Sequence, residues 1–161
     1  MSKSEFPELD AVKSPSGDLS VTALYTAHTW HWAGFPYGDV FANDDSKIVF
    51  KVTNIALAVA RIFMWKLTSL KHGLVHRHAM IDHLVHQDHD GVVLELAAGL
   101  SRRGLTMSED PELSYIEVDL PHVIERKKQL LKTKGLEHLL ADRRNLMWVA
   151  QDVHALELDK Y

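Results

Sequence analysis

Three short clusters hold most of the residues in this sequence whose types and spacing suit chemistry: Glu95 to Ser101, Glu117 to Asp119, and Asp152-Val153. The first, E-L-A-A-G-L-S, turns on small residues, where backbone can approach a ligand without obstruction by side chains. About twenty residues beyond that turn, Glu117 and Asp119 offer carboxylates that can accept hydrogen bonds from the two hydroxyls of a ribose. Asp152 can accept from the exocyclic amine of an adenine, with Val153 to pack on the ring. An adenosine satisfies all three. The turn is not the G-x-G-x-x-G that cradles a dinucleotide pyrophosphate, because Ala97 stands at the first glycine position and only Gly99 and Gly104 follow it. Glu95 just before the turn would repel phosphate, yet could orient the turn or meet a cationic group through water. That favours a cofactor carrying an ammonium over one carrying phosphates.

For these clusters to converge, each must end a parallel strand, since ligands of open α/β sheets bind beyond the strands' carboxyl ends. Val92-Val93-Leu94-Glu95-Leu96 is a short apolar run bounded by turn residues, which predicts a buried parallel strand. Ser101 can then cap a short helix containing Gly104 and Leu105. Ser114 to Asp119 reads as a second strand, and Pro121 suits the first turn of a helix through Val123, Ile124, Leu130 and Leu131 that stops at Gly135. Leu136 to Leu140 makes a further short helical piece before a third strand, Leu146 to Ala150. The pattern predicts an α/β protein with a Rossmann-like half sheet, β-α-β-α-β, from residue 91 to 161.

A helical block at residues 20–90 precedes it, after a polar arm at residues 1–19. Ser20 can cap a helix through Val21, Leu24, Tyr25, His28 and Trp32 that ends at the glycines around Phe35-Pro36. A short helical segment is expected near Val40-Phe41. Asp44, Asp45 or Ser46 then starts a long helix, apolar on most faces from Ile48 through Trp65 to Leu70, which implies burial. Gly73 should stop it, and a further helix from about Leu74 to Gln87 has a polar side crowded with histidine. Trp30, Trp32, Phe63, Met64 and Trp65 are expected in the core, and Tyr25 is the aromatic best suited to line an acceptor pocket.

Composition narrows the function classes. The 161 residues include no cysteine, which removes disulfides, thiolate metal sites and a cysteine nucleophile, and suits a reducing cytoplasm. The net charge of −4 is far from the basic balance that nucleic-acid binding needs. Lys51, Arg61 and Lys66 interrupt the one long apolar stretch, so a membrane span is not expected. The histidines at 72, 76, 78, 83, 86 and 89 include pairs at helical spacing, but no H-E-x-x-H, and are expected to be solvated rather than to hold a metal.

The segments ELAAGLSRRG, YIEVDLPHVIERKKQLL and QDVHAL resemble the leucine carboxyl methyltransferase family, including bacterial relatives that O-methylate polyketides and other small molecules. The likeness covers roughly residues 20–158. It implies a class I fold using S-adenosylmethionine, with Gly99 and the adjoining Ala97 backbone beside the methionine moiety. It further implies Asp119 on the ribose hydroxyls with Glu117 nearby, and Asp152-Val153 at the adenine. HRHAMIDHLV resembles the helix in which that family holds an arginine against the cofactor carboxylate, and Arg77 takes that position. Tyr25-Thr26 stands about where the leucine carboxyl methyltransferases have a lysine, which points away from protein C-termini and toward a small-molecule hydroxyl or carboxylate as acceptor. The resembling enzymes also continue well beyond the third strand. The 161 residues alone are therefore expected not to turn over, and to self-associate or require a complementing chain. Two other readings stand beside this one: a non-catalytic relative that binds a partner through its sheet edge, and a nicotinamide-dependent enzyme. His28 or His31 could serve a hydroxyl acceptor as base.

Overall fold

The computed structural model describes residues 20–64, 69–87 and 90–153, so the arm at 1–19, Trp65, His89 and the chain beyond Val153 lie outside the described residues. Ser20 opens the first helix as expected: its hydroxyl accepts from the Ala23 amide at 3.1 Å, and α1 runs Val21–Trp32. The following segment is a series of turns rather than a short helix, and it drops Val40 and Phe41 into the core. Tyr37 there is left-handed, at φ 56°. Its hydroxyl receives a hydrogen bond from Arg143 at 2.7 Å and donates to Glu109 at 2.6 Å, tying the turns to two segments of the second half of the chain.

α2, Asp44–Phe63, is capped by Asn43, whose side chain accepts from the Ser46 amide while the Ser46 hydroxyl accepts from the Asn43 amide. This reciprocal pair caps a helix that starts at Asp44, the first of the three candidates read from the sequence. The expectation of a long buried helix is overturned in two ways. α2 ends at Phe63, and it is buried only on the side that meets α1, where Phe50 stacks on Tyr25 with ring centroids 5.3 Å apart. Phe63, Met64 and Trp32 are exposed rather than core, whereas Trp30 is buried. All-round apolarity marked a helix with one face packed and another unpacked. Gly73 also fails to act as a stop. It lies in the first turn of α3, Leu70–Gln87, where a missing side chain costs little.

The second half follows the alternation read from the sequence: β1 Val92–Leu96, α4 Arg103–Met107, β2 Ser114–Asp119, α5 Pro121–Thr133, α6 His138–Asp142 and β3 Leu146–Ala150. The strands form one parallel sheet in the order β1-β2-β3, with Val93 opposite Tyr115 and Tyr115 opposite Leu146. Because side chains alternate along a strand, Val93, Glu95, Tyr115, Glu117, Leu146 and Trp148 share one face. That face meets α4, α5 and the helical block in a core containing Leu24, Trp30, Phe41, Leu105 and Leu131. β1 is an edge strand, and Val92, Leu94 and Leu96 on its other face are exposed, which corrects the expectation of a fully buried strand. Among the described residues no helix is long and apolar enough to cross a membrane.

Candidate functional site

The carboxyl ends of β1 and β2 open into a cavity of about 630 Å³ between the sheet and the helical block. The turn after β1 forms its floor. Ala97 and Gly99 both take left-handed backbone, at φ 52° and 55°, and Ser101 donates its amide to the Ala98 carbonyl at 2.9 Å. For Ala97 this conformation costs about 1–2 kcal/mol, a strain held in place by the surrounding turn. Asp119 braces the turn from β2. Its Oδ2 accepts from the Gly99 amide at 2.6 Å and its Oδ1 from the Leu120 amide at 2.7 Å. Each carboxylate oxygen keeps lone-pair capacity for a further donor.

Beneath the turn lies a buried charge network that sequence reasoning missed. Arg103, at the start of α4, donates to Glu95 Oε1 at 2.5 Å and to Asp82 Oδ1 at 2.7 Å, while Arg102 pairs with the other oxygen of Asp82. Tyr115 donates its hydroxyl to Glu95 Oε2 at 3.0 Å. Burial alone would lower the Arg103 pKa, but the Glu95 and Asp82 carboxylates outweigh it and raise the value. Burial and the Glu95 charge push the Tyr115 phenol up in turn. The network joins α3, β1 and α4, and so fixes α3, which carries Arg77, against the turn. The only trace in the sequence was the adjacent pair Arg102-Arg103, whose burial a linear reading cannot see.

His78 belongs to the same wall. Arg103 Nη2 approaches its Nδ1 at 3.2 Å, and since a guanidinium can only donate, that nitrogen accepts and the ring is neutral with its proton on Nε2. Burial, followed by the charges of Arg103 and Arg77, lowers its pKa to about 4. Trp30 meets the imidazole edge to face with centroids 5.0 Å apart.

Of the residues singled out from sequence, Arg77, Glu95, Ala97, Gly99 and Asp119 line the cavity, joined by Trp30, His78, Arg103 and His122, which were not singled out for it. Six candidates are not among the lining residues, and two of them, His28 and His31, line a separate cavity with Asp39 and Lys134. Glu117 is fully buried against Lys127, whose ammonium lies over the rings of Phe41 and Trp148. Desolvation raises its carboxyl pKa, with the Lys127 ammonium pulling the other way. Its Oε1 lies against Gly104, where a Cβ would collide with it, so that glycine serves the buried carboxylate rather than a phosphate turn. Tyr25 is buried between α1 and α2, donating to Asn54 at 3.3 Å. Asp152 is exposed and Val153 half-buried, just past β3. No group of three or more potential metal ligands occurs among the described residues.

A small-residue turn, a strand-end carboxylate and an arginine thus line one cavity. Neither among curated proteins nor among solved structures does the chain have a match. The family model for leucine carboxyl methyltransferase matches residues 33–159, a stretch that contains the turn, the Asp119 brace and Arg77. The chain belongs to the leucine carboxyl methyltransferase family, a family of S-adenosylmethionine-dependent methyltransferases.

Proposed function

We propose that this chain binds S-adenosylmethionine in the cavity between β1, β2 and α3, as part of an O-methyltransferase for a small-molecule hydroxyl or carboxylate. The observation that carries the reading is Asp119, which holds the Gly99 turn and keeps acceptor capacity at the cavity for the ribose hydroxyls. Gly99 leaves room beside the turn, since even an added Cβ would meet nothing closer than Ala23 at 3.8 Å. Arg77 supplies a cation on the opposite wall for the carboxylate of the methionine moiety. Of the two roles open to Glu95, orienting the turn is the one its contacts support, because both its oxygens are engaged, by Arg103 and Tyr115. When bound, the cofactor supplies an activated methyl group, and the protein's part is positioning and exclusion of water. Trp30, Leu74 and Ile81 give that cavity its apolar wall. His78 is held neutral and hydrogen-bonded, so it contributes no proton acceptor near pH 7.

The test is calorimetric titration with S-adenosylhomocysteine and with NAD. Saturable binding of the first and none of the second supports the proposal; preference for NAD overturns it.

A further inference from the structure

The hydrogen-bonding state of His78 on α3 is set by its neighbours. Arg103 donates to the imidazole Nδ1 at 3.2 Å, and Arg103 is itself held by Glu95 and Asp82, so it cannot turn away. A guanidinium accepts nothing, so Nδ1 keeps its lone pair and the ring proton sits on Nε2. Trp30, edge to face with the imidazole at 5.0 Å, holds the ring plane. What remains is one N–H donor of fixed direction on a side chain that lines the cavity. Among the described residues no acceptor takes that proton, and the nitrogen is not sealed from solvent.

The surroundings select what this donor can meet. The charges that act on the ring are the guanidinium groups of Arg103, Arg77 and Arg102 and a single carboxylate, that of Asp82. Asp82 has both oxygens engaged by Arg102 and Arg103, and Glu95 has both engaged by Arg103 and Tyr115, so neither carboxylate is left for a ligand. This wall therefore repels a ligand ammonium and attracts an anionic oxygen. Arg77, the preceding residue on α3, also lines the cavity and is exposed at its rim. We propose that His78 is a second binding residue for the carboxylate of the methionine moiety, donating from Nε2 to one carboxylate oxygen while Arg77 pairs with the group from the rim. The inference rests on the S-adenosylmethionine reading and adds a selectivity to it: the cavity favours a nucleoside that carries an amino-acid carboxylate over one that ends in an alkyl group. A neutral donor beside the arginine gives the anion a strong hydrogen bond without burying a further cation. Because the ring is already held, little side-chain entropy is lost when the ligand arrives.

Long-range proton–nitrogen correlation spectra of the full chain, labelled with ¹⁵N-histidine, read the contact in the parent protein. Free, His78 shows an unprotonated Nδ1 and a protonated Nε2. S-adenosylhomocysteine moves the Nε2 proton downfield, as a hydrogen bond to a carboxylate does, whereas 5′-methylthioadenosine, the same nucleoside without the amino-acid end, leaves it in place. Calorimetry adds a variant: His78→Phe keeps a ring against Trp30 but has no N–H. It is expected to bind S-adenosylhomocysteine about ten- to hundredfold more weakly, the loss of a hydrogen bond to a charged group, and 5′-methylthioadenosine as the parent does. An Nε2 proton that S-adenosylhomocysteine does not move overturns the proposal, and so does a variant that binds this ligand as well as the parent. Equal losses for both nucleosides overturn it too, because a merely structural role would affect both. A parent that binds neither nucleoside instead fails the cofactor reading, and the His78 contact falls with it.

Discussion

Asp119 on β2 accepts the amide hydrogen of Gly99, twenty residues earlier in the turn after β1, across 2.6 Å. One side chain thereby sets the shape of the cavity floor and presents a carboxylate at its edge. Replacing it by alanine should weaken S-adenosylhomocysteine binding by about 1–3 kcal/mol, the usual consequence of losing charge-assisted hydrogen bonds. Amide exchange at Gly99 should accelerate in the same variant. Unchanged affinity in calorimetry would remove Asp119 from the ribose contact.

Arg77 and Asp119 both line the cavity, and their losses should be separable by ligand. Arg77→Ala is expected to weaken S-adenosylmethionine binding while leaving adenosine binding unchanged, because only the amino-acid end carries a carboxylate. Equal losses for both ligands would mean that the arginine shapes the helix rather than the ligand contact.

The Glu117–Lys127 pair makes a different prediction because neither side chain reaches solvent. Lys127→Met leaves a carboxylate buried without its partner and should cost about 3–5 kcal/mol in urea unfolding. Combining it with Glu117→Leu should recover most of that loss, since an apolar pair of similar volume needs no compensation for desolvation. A double variant no more stable than the single one would show that the pair is worth more than its replacement by packing.

Gly104→Ala drives a methyl group into Glu117 and should destabilise the fold by about 1–3 kcal/mol through overpacking. Ligand affinity per folded molecule should hold, because the collision lies in the core. A thermal melt matching the parent would show that Glu117 moves aside freely.

Acid should unfold this protein through histidine as well as through carboxylates. His78 is lowered to about 4 from 6.5, so between those values the unfolded chain binds a proton that the folded chain does not. Its contribution is complete above pH 6.5 and is lost as the pH falls toward 4. Burial lowers His28 too, which adds in the same direction. His78→Gln should therefore flatten the fall in melting temperature across this window, and an unchanged slope would exclude His78 as a source of it.

What the sequence determined by itself was local. The alternation of apolar runs with turn residues located the three strands and the helices between them, because strand burial and helix capping depend on neighbours within a few positions. Gly99 and Asp119 were legible for the same reason: each ends or follows a strand, and strand ends of a parallel sheet share one edge. Tertiary structure alone decided which charges go inside. Glu117 and Asp119 are two residues apart on one strand, yet Glu117 lies under α5 with Lys127 while Asp119, at the strand's end, lines the cavity. No spacing rule separates them, since the difference is where the covering helix begins. Likewise α2 reads as apolar on most sides, and only the position of α1 determines which side is packed and which row stays exposed. The Arg102 and Arg103 network was invisible along the chain because its partners, Asp82 and Glu95, are brought to it by two other elements, and a buried charge is stable only where such partners converge.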